Sequence, residues 1–102
     1  MILVSYGFDP HWMDPLGHLQ LTADGYGRLI KRLTDWAVSH CFGRIALFLE
    51  GGYDLDAGSA CSLAVTSAMI GNDWSDPYPC PYVESNAWRS TLNQAQAIWN
   101  FR

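Results

Sequence analysis

Residues 1–5 form an apolar run of the length of one buried strand. Residues 7–21 are interrupted by Gly, Pro, Asp and His, keep no helical period, and read as a structured loop. From Thr22 onward the pattern changes, and Tyr26, Leu29, Ile30, Leu33 and Ala37 recur at helical spacing. Thr22 can cap this helix and Asp24 suits its positive end, so a helix with one buried face is expected to about His40. Residues 44–49 are a second apolar run of strand length, broken by Gly51-Gly52. Asp54 can cap the next helix, which runs to about Ile70 and stops at Gly71. That helix is rich in Ala, Ser and Gly and so can lie close against a neighbouring layer. Residues 72–84, with Asp, Asn and repeated Pro, predict an extended linker without helix. Ser85 or Asn86 starts a last helix whose apolar stripe is Trp88, Leu92, Ala95 and Trp99.

The order is strand, loop, helix, strand, turn, helix, linker, helix, which is an α/β pattern. A strand–helix–strand crossover implies parallel strands, and parallel strands are normally buried on both faces. Two strands cannot build such a sheet alone. The pattern therefore predicts a partner, either more chain or another subunit. The expected organisation is a body over residues 1–71, a proline-rich linker over 72–84 and a docking helix over 85–102.

Composition strengthens the expectation of a partner. The 102 residues suffice for one small domain. Of these, 49 % are hydrophobic and 16 % charged, against about 25 % charged in an average soluble domain. Five tryptophans add to the surface that favours being covered. A net charge of −4 with scattered basic residues argues against nucleic acid as a direct partner. Cys41, Cys61 and Cys80 lack paired spacing and read as free thiols, with no thiolate zinc site among them. No apolar run is long enough for a membrane span and the N-terminus does not read as a signal peptide, so a cytoplasmic protein is expected.

In open α/β sheets the working residues sit in loops at the carboxyl ends of strands. Here those loops are 6–21 and 50–54, and a right-handed crossover brings both to one edge. Asp9 can ligate a metal or cap a turn. His11 is a second ligand candidate or a solvated loop histidine, and His18 is a more distant third. Gly51-Gly52 can admit a phosphate to the backbone or simply form a turn that needs positive φ. Tyr53 beside the glycines can donate to a developing oxyanion or can pack. Glu50 is expected to bond loop amides, and Asp14 before Pro15 to form a turn.

Ser5-Tyr6-Gly7-Phe8-Asp9 followed by Asp14-Pro15-Leu16-Gly17 resembles the S-x-G-F-D…D-P-L-G signature of class II histone deacetylases and their acetoin-utilisation and acetylpolyamine-deacetylase relatives. Leu21-Thr22-Ala23-Asp24-Gly25-Tyr26 resembles the stretch that follows it. Leu49-Glu50-Gly51-Gly52-Tyr53-Asp54-Leu55 resembles the family's E-G-G-Y-[DN], and Trp88 through Trp99 its closing helix in bacterial members. The resemblance spans essentially the whole chain. It implies the C-terminal part of a parallel-sheet arginase/deacetylase-type fold, with Asp9 as one Zn2+ ligand and Tyr53 as the catalytic phenol. It further implies that Pro15, Leu16, Gly51 and Gly52 line the acyl-lysine channel.

In the family pattern the other two zinc ligands, a D-x-H pair, and the paired histidines that handle protons lie upstream of these motifs. His11 matches neither ligand position of that pair, and Tyr6 stands where alanine is common. The resemblance thus places the chain at the end of a catalytic domain about three times longer. The expected function is that of a partial zinc-dependent deacetylase, acting on acetyl-lysine or acetylpolyamine-type amides when complete and inactive alone. The alternative is a non-catalytic oligomerisation or interaction module. A metal site assembled from Asp9, His11 and His18 of two or more chains is a third arrangement.

Overall fold

The two apolar runs pair, and they pair in parallel. The computed structural model describes residues 1–99, in which β1 (Ile2–Tyr6) lies beside β2 (Ile45–Leu49) in a register from Ile2 opposite Ile45 to Tyr6 opposite Leu49. The helices are α1 (Ala23–Cys41), α2 (Leu55–Ile70) and α3 (Ala87–Trp99). Positions 100–102 of the expected docking helix lie outside the described residues.

Local chemistry sets the helix ends. The Thr22 hydroxyl accepts from the Gly25 N–H at 3.0 Å, and the Asp54 carboxylate from the Ala57 N–H at 2.8 Å. α2 stops at Gly71, which takes the left-handed conformation (φ 75°) that a C-terminal cap needs. α1 runs one residue beyond His40 and ends before Phe42, the one positive-φ residue other than glycine among the described residues (φ 55°).

α1 buries Ala23, Tyr26, Ile30 and Ala37. Leu29, expected on the same face, is exposed. It sits one residue, hence about 100°, around the helix from Ile30, on the flank rather than the centre of the contact. α2 buries Ala57, Ala60, Cys61, Ala64 and Val65, small residues that let it approach α1 closely. Where they meet, a Cβ on Gly27 would stand 3.6 Å from that of Ala64. Phe8, Tyr26, Ile30 and Cys61 lie at the centre of the core, with Tyr6 and Leu47 packed on it from the sheet. Phe8 meets the rings of Tyr6 and Tyr26 edge to face at 5.4 and 5.3 Å.

The coverage is one-sided. Ile2, Val4 and Tyr6 are partly covered, whereas Leu3 and Phe48 are exposed. Residues 72–84 carry no helix or strand and run back over the body, where Trp74 and Tyr78 pack against the core. The Trp12 indole N–H donates to the Tyr78 carbonyl at 3.2 Å, tying this segment to the loop after β1. α3 buries none of its residues, and the Trp88 indole N–H donates to Glu84 at 3.0 Å. No helix among the described residues is long and apolar enough to cross a membrane.

Candidate active site

Because β1 and β2 run parallel, the loops that follow them leave from the same edge, and hydrogen bonds stitch them together. The Glu50 N–H donates to the Tyr6 carbonyl at 2.7 Å and the Phe8 N–H to the Gly51 carbonyl at 3.2 Å. So close an approach requires glycine. Gly51 and Gly52 have φ of 95° and 107°, and a Cβ on Gly52 would stand 2.7 Å from the Cβ of Phe8. A Cβ on Gly51 would stand 2.9 Å from Asp9 Oδ1 and 3.9 Å from Tyr53 Oη. The Asp9 carboxylate and the Tyr53 hydroxyl thus share the space that Gly51 leaves open.

Asp9 is delivered there by a turn whose position 7 has no room for a side chain. A Cβ on Gly7 would collide with the Asp9 carboxylate and the Glu50 carbonyl. The turn is anchored to the core by the Tyr26 hydroxyl, which donates to the Gly7 carbonyl at 2.8 Å. Burial, helped by Cys61, Asp9 and Asp14, pushes the Tyr26 pKa up, so this phenol stays protonated and keeps donating. The periodicity marked Tyr26 only as an apolar-face residue. A phenol on a buried face, which needs a polar partner, was the available signal. Burial pushes the Cys61 thiol up to about 12, with Asp76 adding to the shift, so it stays a thiol and is no nucleophile at neutral pH.

Asp14 does more than form a turn. Its side chain is 6 % exposed. One oxygen accepts from the N–H groups of Leu16 and Gly17 at 2.9 and 3.3 Å, within its own loop. The other accepts from the N–H groups of Tyr53 and Asp54 at 2.7 and 3.3 Å, in the opposite loop. Burial alone would raise its pKa, but the four backbone donors outweigh it and hold the carboxyl below its ordinary range. The bonding of loop amides expected of Glu50 is thus performed by Asp14, whereas Glu50 is exposed. A residue's place next to a loop in sequence does not say which carboxylate folds over it.

His11 is a correction of the same kind. Instead of a solvated histidine, it is 0 % exposed. Its Nδ1 accepts from the Met13 N–H at 3.2 Å, and its Nε2 has no hydrogen-bond partner in the structure. Burial lowers its pKa against the opposing pull of Asp76, Asp54 and Asp14.

Pro15 and Leu16 are exposed on the loop that Asp14 holds, and Tyr53 is 61 % exposed at the edge. Behind Gly51 and Gly52 an open trough of about 530 Å³ runs along Phe8, Leu49, Leu55 and Leu63. Among the described residues no group of three or more His, Cys, Asp or Glu side chains could hold a metal, so Asp9, His11 and His18 do not form such a group within the chain. A catalytic zinc needs three protein ligands. The Asp9 carboxylate in its glycine cradle is an oxygen donor of the kind zinc accepts, and among the described residues no set of three forms around it.

Residues 1–69 match the family model described as histone deacetylase domain. The chain is 38 % identical over 90 residues to a probable deacetylase of Archaeoglobus fulgidus, covering 86 % of this chain and 25 % of that protein. It is 42 % identical over 73 residues to the chloroplastic histone deacetylase 14 of Arabidopsis thaliana, covering 72 % and 17 % respectively. The crystal structure of the HDA15 HD domain superposes with a TM-score of 0.72 at 32 % identity, covering 96 % of this chain and 24 % of that one. The chain thus spans a quarter or less of the length of these relatives.

Proposed function

The chain belongs to the histone deacetylase family, and from that premise we propose that it supplies one zinc ligand and the catalytic phenol of a zinc-dependent deacetylase and is inactive alone. The observation that carries this reading is the convergence of Asp9 Oδ1 and Tyr53 Oη beside Gly51. In the assembled enzyme Asp9 contributes to holding Zn2+, and the remaining ligands and the proton-transferring histidines come from outside this chain. Zinc, when bound, supplies Lewis-acid polarisation of the amide carbonyl and activation of water. The Tyr53 hydroxyl donates to the carbonyl oxygen as negative charge grows on it, an interaction strongest in the transition state. Pro15, Leu16, Gly51 and Gly52 line the approach, and the exposed Leu16 offers apolar surface to the methylene chain of an acetyl-lysine or acetylpolyamine.

The test is a chimaera in which this chain replaces the matching quarter of the Archaeoglobus fulgidus relative, assayed on an acetyl-lysine peptide and an acetylated polyamine. Tyr53→Phe is expected to lower kcat roughly 100- to 1000-fold with little change in KM, as for loss of one oxyanion donor. Asp9→Ala is expected to lower zinc content as well as turnover. Full turnover in the Tyr53→Phe chimaera sinks the reading. The chain alone is expected to bind no stoichiometric zinc.

A second reading, a non-catalytic interaction module, is favoured by the exposed Leu3 and Phe48 on a sheet of two strands. A discrete oligomer of the chain in sedimentation, without hydrolysis by either the chain or the chimaera, is the result that selects it.

A further inference from the structure

We propose that Asp14 is a positioning residue for Tyr53: its carboxylate couples the loop at Leu16-Gly17 to the Tyr53 backbone and so sets where the phenol stands. The inference rests on the reading of Tyr53 as the catalytic phenol.

Packing within the chain does not fix this side chain, because Tyr53 is 61 % exposed. Its approach along the chain is also permissive. Gly51 and Gly52 both have positive φ, and without a Cβ each has a wide choice of backbone angles. What restrains Tyr53 is therefore its backbone. The Phe8 N–H holds the Gly51 carbonyl at 3.2 Å on one side, and the Asp54 side chain caps α2 through the Ala57 N–H at 2.8 Å on the other. Between them, at Tyr53 itself, the bond is the one from its own N–H to Asp14 Oδ2 at 2.7 Å.

A turn-former would need only the local bonds to Leu16 and Gly17. The second oxygen reaches instead across to Tyr53 and Asp54, 39 and 40 residues further along the chain. The arrangement also needs a carboxylate. Four N–H donors face two oxygens, and an amide in place of the acid would turn its NH2 against one pair of them. A shift of about 1 Å in a catalytic group can cost on the order of 100-fold in rate, so the bond that fixes the Tyr53 backbone matters to the phenol it carries.

The experiment is a double-mutant cycle in the chimaera, with zinc content measured for each protein: unmodified, Asp14→Asn, Tyr53→Phe and both together. Asp14→Asn is expected to lower kcat roughly 10- to 100-fold, with zinc content unchanged and KM within about threefold. The double variant is expected to be no slower than Tyr53→Phe alone, because without the hydroxyl its position no longer matters. Multiplying effects, or an Asp14→Asn protein with full kcat, overturn the proposal while leaving the role of Tyr53 intact. Full turnover in Tyr53→Phe overturns that role, and the proposal with it. Should Asp14→Asn fail to fold, amide hydrogen exchange in the unmodified chimaera decides: protection at Tyr53 supports the anchor, and exchange at the rate of an open loop overturns it.

Discussion

α1 and α2 pack side by side in one core, yet they turn different surfaces away from it. α1 presents charged groups, with ion pairs from Arg28 to Asp24 at 3.1 Å and from Lys31 to Asp35 at 2.9 Å. α2 has Asp56 as its one charged residue and exposes Leu55, Leu63 and Ile70. A helix with one polar face suits the outside of a protein, whereas one that is apolar all round suits an interior. α1 therefore reads as a mainly charged outer face on which Leu29, Trp36 and Val38 are also exposed, and α2 as a helix covered on one side only. The sheet repeats the contrast, with Tyr6 and Leu47 in the core and Leu3 and Phe48 in the open. The site edge, by comparison, is held by hydrogen bonds: Asp14, Tyr26 and the Gly51 carbonyl account for the turns that carry Asp9 and Tyr53. Hydrogen bonds between distant parts of the chain shape the loops, while Leu3, Phe48 and the outer face of α2 stay exposed.

Three substitutions probe the contrast between the helices. The largest effect is expected at the shared core, where Ile30→Ala should cost about 2–5 kcal/mol in urea unfolding of the chain. A loss no larger than that of a surface substitution would mean that the α1–α2 contact does not hold the fold together. On the outer face of α2, Leu63→Lys should leave the chain alone within about 0.5 kcal/mol. In the chimaera the same change should cost about 1.5–3 kcal/mol, the worth of a buried leucine. Equal effects in both settings would show that α2 faces solvent in the assembled protein too. The smallest effect belongs to the outer face of α1. Lys31→Ala breaks an exposed pair with Asp35 and should change stability by at most about 0.5 kcal/mol in either setting.

Much of the frame is legible in the sequence itself. Thr22, Asp54 and Gly71 mark helix ends through short-range chemistry, in which a side chain or a conformation acts within a few residues. The apolar runs at 1–5 and 44–49 became parallel strands because a crossover helix between them leaves little choice. That both loops leave at one edge followed from the same topology. The roles of individual polar side chains were less legible. Sequence proximity pointed to Glu50 as the residue bonding the loop amides and left His11 as either a ligand candidate or a solvated histidine. The fold gave the first task to Asp14 and buried His11 completely.

By itself the sequence determined the order and type of the elements, the edge at which chemistry gathers and, through its motifs, the family. These depend on periodicity, capping and backbone freedom, all properties of short stretches. Only the tertiary structure decided that Asp9 and Tyr53 meet beside Gly51, that Asp14 clasps both loops, that Tyr26 anchors the first turn, and that Leu29 stays outside the core. Those outcomes depend on which groups from distant parts of the chain come within hydrogen-bonding or packing distance. Such contacts form only when α1 and the paired strands bring the two loops together.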